Sequence, residues 1–102
     1  MMLHELFQVL SNETRLKILA LLAKGEFCVC QIYASIGTSQ PNISQHLNLL
    51  KSLGIVESRR DGTFILYSIN KQILKQFPFL NDLLRIAQEE YKIDIRQSCS
   101  AI

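Results

Sequence analysis

The stretch from Val29 to Gly54 constrains this chain most. Val29, Ile32, Tyr33 and Ile36 recur at the spacing of one helix face. Gly37 follows, and glycine suits the left-handed position that ends a helix. Thr38 or Ser39 can then cap a second helix, with Pro41 in its first turn, where a missing N–H costs nothing. Ile43, Leu47, Leu50 and Leu53 face inward along it, and Gly54 ends it. Two short helices joined by a tight glycine-containing turn are the helix-turn-helix signature.

The flanks fit around that pair. Leu3, Leu6, Phe7 and Leu10 give one apolar stripe on a short first helix. Ser11 or Asn12 can cap a second helix, with Glu13 at the positive end of its dipole. Leu16, Leu19, Leu22 and Ala23 stripe that helix, and Gly25 stops it. After Gly54 the pattern changes: Ile55–Arg60 and Thr63–Ile69 are β-prone runs around Asp61-Gly62. That dipeptide predicts a two-residue hairpin with both positions at positive φ. Asn70 can cap a further helical segment, which Pro78 divides, and Leu80, Leu83, Leu84, Ala87 and Tyr91 line one face of a final helix. The expected fold is mainly α with a small β-hairpin, a dimeric winged helix-turn-helix over residues 1–92, followed by a C-terminal tail of residues 93–102 without clear period.

Composition sets bounds on function. With 102 residues there is room for one small domain, and 48% apolar content excludes disorder. The net charge is only +2, but residues 1–75 hold eight basic against five acidic side chains, and residues 76–102 three against four. Any nucleic-acid surface is therefore expected in the first three quarters. No run spans a bilayer, since Leu16–Ala23 is short and holds Lys17, and no basic-then-apolar leader opens the chain. The expectation is a cytoplasmic protein with no membrane partner, whose three cysteines, an odd number, are not a disulfide framework.

On a helical wheel Ser44, Gln45, Asn48 and Lys51 lie opposite the apolar stripe of the fourth helix, and Ser39, Gln40 and Asn42 sit in its cap and first turn. Gln and Asn can pair bidentately with adenine, and helix N-terminal amides can hold a phosphate. Arg59 and Arg60 fall beside the hairpin tip, suited to phosphates or a narrow minor groove. A solvated polar face explains any one of these; together they point to double-stranded DNA. His46 borders the core and is expected to pack or bond locally. So small a net charge implies two protomers, with half-sites about 34–36 Å apart. The apolar stripes exceed what short helices bury, so Leu3, Leu6, Phe7, Leu80, Leu83, Leu84 and Ala87 are expected at a dimer interface.

Cys28-Val29-Cys30 opens the third helix. Positions i and i+2 of a helix point about 200° apart, so the two sulfurs cannot share an ion unless the first turn is non-helical or unwinds. The positive end of a helix dipole favours thiolates, which select soft ions such as Cu(I), Zn(II) or, by the same logic, trivalent arsenic. Ordinary buried cysteines are the plain alternative.

The sequence resembles the ArsR/SmtB family of metal-sensing repressors. The likeness runs over roughly residues 3–92 and rests on Leu10–Leu19, Phe27–Ile32, Ser39–Leu47, Leu53–Val56 and the wing Arg59–Gly62. It implies a homodimer that binds operator DNA when ligand-free and leaves it on binding a metal or metalloid. Cys28-Val29-Cys30 is similar to the box of the arsenite/antimonite, cadmium and lead branches. The arsenite box often has a further cysteine three residues after its second; Tyr33 stands there. Trivalent arsenic prefers three thiolates, so the expected metal site is Cys28, Cys30 and, as a proposal, Cys99, against a bystander role for Cys99. As(III) or Sb(III) would be an inducer, not an obligatory cofactor. With only His4 and His46, the family's zinc or nickel site on the last helix is not expected, and cadmium or lead would need a further ligand. Thiol-redox or reactive-sulfur sensing through Cys28 or Cys30 with Cys99 is the alternative on the same fold. A winged-helix module that does not bind DNA is a third. No catalytic set or phosphate-cradling glycine loop is visible, so no enzyme is expected.

Overall fold

The computed structural model describes residues 1–96. The elements run α1 (Leu3–Leu10), α2 (Glu13–Leu22), β1 (Phe27–Cys28), α3 (Val29–Ile36), α4 (Gln40–Ser52), β2 (Val56–Asp61), β3 (Phe64–Ile69), α5 (Lys71–Gln76) and α6 (Phe79–Tyr91). Mainly helical, with a small antiparallel sheet, this is a winged helix-turn-helix in which α3 and α4 are the paired helices and β2–β3 the wing.

The caps resolve what the sequence left open. Asn12 Oδ1 accepts the Arg15 N–H at 3.0 Å and caps α2. Ser39 Oγ accepts the Asn42 N–H at 3.4 Å and caps α4, while Thr38 Oγ1 accepts from the Asn42 side chain at 3.0 Å. Asn70 caps α5. Gly37 takes φ 87° and closes α3.

Three local expectations are corrected. The α2 stripe is not one-sided: Ile18 to Leu22 are all buried, while Ala23 is exposed. A helical stretch buried all round, as the C-terminal half of α2 is, is a central one, and α2 packs against α1, α3, α6 and the sheet. The hairpin turns one residue later than Asp61-Gly62. Asp61 pairs with Phe64, leaving Gly62-Thr63 at the turn. Gly62 has φ 63°, and no residue but Lys92 among the described non-glycines has positive φ. Glycine at the first central position is the II′ pattern, which asks positive φ of that residue alone. The wing also gains a third strand: the sheet order is β1-β3-β2, with Phe27 opposite Tyr67 and Cys28 opposite Leu66.

The core gathers the inward faces of every helix. Leu6, Ile18, Leu21, Ile32, Ile43, Leu47, Leu50, Ile55 and Val56 are fully enclosed. After α6, Lys92 turns the chain in the left-handed region, Ile93 packs on the core, and the Arg96 N–H donates to Ser35 Oγ at 2.8 Å. Residues 93–96 thus lie against the domain, and Cys99 is outside the described residues. No helix among the described residues is long and apolar enough to cross a membrane.

Candidate DNA interface and thiol site

Ile43, Leu47 and Leu50 anchor α4 on its buried side. That leaves Ser39, Gln40, Gln45, Asn48 and Lys51 exposed, with Asn42 and Ser44 half-buried at the edge of the same surface. The exposed residues form a polar face rooted in a rigid hydrophobic ridge.

His46 lies on the inner edge of that face, as its wheel position suggested. Arg15 reaches it from α2: Nη1 stands 3.4 Å from His46 Nδ1, while Nε donates to the Val9 carbonyl at 2.7 Å. Arginine can only donate, so this contact needs an unprotonated Nδ1. Burial first, and the Arg15 charge second, hold the His46 pKa below its ordinary 6.5. Arg15 thereby ties the end of α1 to α4.

The wing residues divide. Successive strand residues face opposite ways. Arg59 therefore shares a face with its partner Leu66 and with Cys28 beyond it, whereas Arg60 shares the other face with Ser58 and Tyr67. Arg59 is held by Glu26 through two hydrogen bonds, Nε to Oε2 at 2.7 Å and Nη2 to Oε1 at 2.8 Å. Those hydrogen bonds, reinforced by charge, lower the Glu26 pKa and raise that of Arg59. Sequence reasoning did not single out Glu26. Its partner is 33 positions away, and only the pairing of β1 with β3 brings them together.

The cysteine element resolves the helical conflict in the first of the two foreseen ways. Cys28 is not in the helix: it ends β1 and caps α3 with extended φ −79°, ψ 163°. Its backbone N–H donates to Gln31 Oε1 at 3.1 Å, and its side chain takes the Gln31 backbone N–H, a capping box with sulfur as acceptor. With Cys28 extended and Cys30 in the first turn, the two sulfurs lie 3.2 Å apart; Cys30 is itself disulfide-bonded, against the expectation from the odd cysteine count, so an ion could use both sulfurs only in the reduced protein. Among the described residues no group of three His, Cys, Asp or Glu is arranged to hold a metal ion.

The seven residues of the expected dimer face also divide. Leu6, Leu80, Leu84 and Ala87 are buried within the protomer. Leu3 and Phe7 are about half exposed, at 50% and 51%, and Leu83 is half-buried. Ile86, at 59% exposed, joins them, a position the helical stripe did not include. Phe7, Leu10, Leu16, Leu83, Ile86 and Tyr91 line a shallow apolar groove between α1 and α6. Phe7 also stacks on Phe79 with ring centroids 5.8 Å apart.

A polar-faced α4 behind a short turn, with a three-stranded wing beside it, defines a regulator of the winged helix-turn-helix class. Residues 12–58 match the model of the "bacterial regulatory protein, arsR family". Over 102 aligned residues the chain is 35% identical to the arsenical resistance operon repressor of Escherichia coli, covering 94% of this chain and 87% of that one. The chain belongs to the ArsR family. It is also 48% identical over 64 residues to the cadmium resistance regulatory protein CadC of Listeria innocua, covering 62% of this chain and about half (54%) of the relative. Among solved structures, the homodimeric winged helix-turn-helix DNA-binding domain Mb0332 of Mycobacterium bovis superposes with TM-score 0.66 at 35% identity, covering 82% of this chain and 79% of that one. Reduced HlyU of Vibrio cholerae superposes with TM-score 0.68 at 27% identity, covering 84% of each chain. These family members and structural neighbours are transcriptional regulators, not enzymes.

Proposed function

We propose that this chain is a cytoplasmic homodimeric repressor released from operator DNA by trivalent arsenic or antimony bound at Cys28 and Cys30, with Cys99 as third thiolate. The observation that carries the reading is the 3.2 Å separation of two sulfurs at the start of the helix packed against α4. Two sulfurs on one ion, each at about 2.3 Å, can lie no more than about 4.6 Å apart, and soft thiolates select soft ions. A third donor has to come from beyond the arranged groups, and Cys99 is the one cysteine left in the sequence. The E. coli relative, matched over nearly the whole chain, is named for arsenical resistance.

Ser39, Gln40, Asn42, Ser44, Gln45, Asn48 and Lys51 meet the major groove in this reading, and Arg59 and Arg60 the phosphates. A second copy covers the groove between α1 and α6, with Leu3, Phe7, Leu83 and Ile86 in contact and Leu6, Leu80, Leu84 and Ala87 backing them. An ion at the sulfurs redefines the β1–α3 junction, and α3 passes the change to α4. A coupling of about 1–3 kcal/mol lowers DNA affinity about 5- to 150-fold.

Titrating arsenite, antimonite, cadmium and lead against a complex with duplex from the chain's own promoter tests this. Release by arsenite and antimonite at the lowest concentrations is the expected result; release by cadmium first would make it a cadmium sensor. A Cys99→Ser protein with full arsenite response would remove the third ligand. A thiol-redox or reactive-sulfur switch joining Cys28 or Cys30 to Cys99 is the second reading, favoured by the likeness to an HlyU structure named for its reduced form. Thiol counting by mass spectrometry after persulfide and after arsenite separates the two.

A further inference from the structure

We infer that Glu26 is an internal competitor for DNA phosphate at Arg59, so that the wing's charge is set from inside the protein. This rests on the DNA-binding reading above and adds a residue to it.

The guanidinium presents its donors as a planar fork, which matches carboxylate and phosphate alike. Glu26 occupies the edge made by Nε and Nη2, with both bonds under 3 Å. A phosphate seeking Arg59 must displace that carboxylate or settle for the remaining edge of a guanidinium whose charge is already balanced. Asp61, at the end of the same strand and on the same face, adds a further negative charge near Arg59. The wing therefore offers DNA less positive charge than its two arginines suggest, and Arg60, on the opposite face, is the cation that Glu26 does not offset.

The pair is also accessible. The side chains of Arg59 and Glu26 are 56% and 36% exposed. Exposed ion pairs of this kind contribute little to folding. Glu26 is exposed and is not among the core residues, so replacing it takes no side chain out of the core. What it does have is position: it lies two residues before Cys28, immediately ahead of the short strand that joins the cysteine element to the wing.

The test is a four-protein cycle of wild type, Glu26→Gln, Arg59→Ala and the double variant. Each is titrated with promoter duplex over a range of salt concentrations, with melting checked for each. Glutamine keeps the size and removes the charge. Glu26→Gln is expected to bind about 2- to 30-fold tighter per dimer, because two exposed pairs of modest strength are released. The slope of log affinity against log salt is expected to steepen by about 2, for two additional phosphates at about 0.9 each. In the Arg59→Ala background the same substitution should change neither quantity. Unchanged or weaker binding by Glu26→Gln, or the same gain with Arg59 absent, would overturn the inference. If none of the four, wild type included, binds duplex in a salt-dependent manner, the DNA-binding reading falls and takes this inference with it.

Discussion

On α4 the exposed Gln45, Asn48 and Lys51 stand over a buried Ile43–Leu47–Leu50 ridge, whereas on the wing Arg59 is already engaged by Glu26. The two surfaces place their polar groups by different means. The α4 face is fixed by packing, by the Ser39 cap and by the Arg15–His46 contact, and its amides carry no charge that a neighbour could cancel. The wing is a two-stranded projection extended by a two-residue strand, and its charge depends on which partner each arginine has. A helix held in this way suits sequence discrimination; a wing held in this way suits adjustable, sequence-independent attraction.

The sharpest way to break that contrast is to truncate the amides. Asn48→Ala and Gln45→Ala are each expected to cost about 1–3 kcal/mol of discrimination between operator and scrambled duplex, read by competition titration. Equal loss on both duplexes would make α4 a phosphate-binding surface instead. Next in size, Arg60→Ala should weaken binding to all sequences alike and lower the salt slope by about 2 per dimer. Arg59→Ala should do less, because Glu26 already offsets it; equal effects would erase the distinction between the two wing faces. The smallest effect concerns acid. The His46 pKa is held below its ordinary 6.5, so protonation favours the unfolded chain. Its contribution is complete above about pH 6.5 and is lost as pH falls below that value through the folded pKa. Chemical denaturation at a series of pH values should show this loss, and His46→Asn, which keeps an acceptor and does not titrate, should flatten it.

Much of this architecture was legible because it is written in local patterns. The stripes of α1, α3, α4 and α6, the left-handed Gly37 and a cap within one residue of Asn12 and of Ser39 all follow from spacings of a few residues. The misses have physical reasons. Phe27-Cys28 is too short to show a period of two and becomes a strand only because β3 is there to pair with it. The turn shifted by one residue because glycine alone can satisfy the II′ turn. The apolar run from Ile18 to Leu22 resembles a stripe with extra members until α6, α3, α1 and β3 are all seen to pack against it. Of the candidate site, the polar face of α4 was legible from the wheel, and the condition for neighbouring sulfurs was legible too, since Cys-x-Cys can converge only where the first turn is non-helical or unwinds; which of these holds was not. The Glu26–Arg59 pair and the Arg15–His46 contact were not, because both join residues more than 30 positions apart.

In the proposed function the two sulfurs at the head of α3 control the hold of α4 on DNA. Duplex release by arsenite, measured for wild type, Cys28→Ser and Cys30→Ser, tests it most directly. The expected result is that all three proteins bind duplex with the same affinity and only the wild type lets go when arsenite is added. Arsenite-driven release from either serine variant, or loss of binding by the variant before arsenite is added, would contradict it.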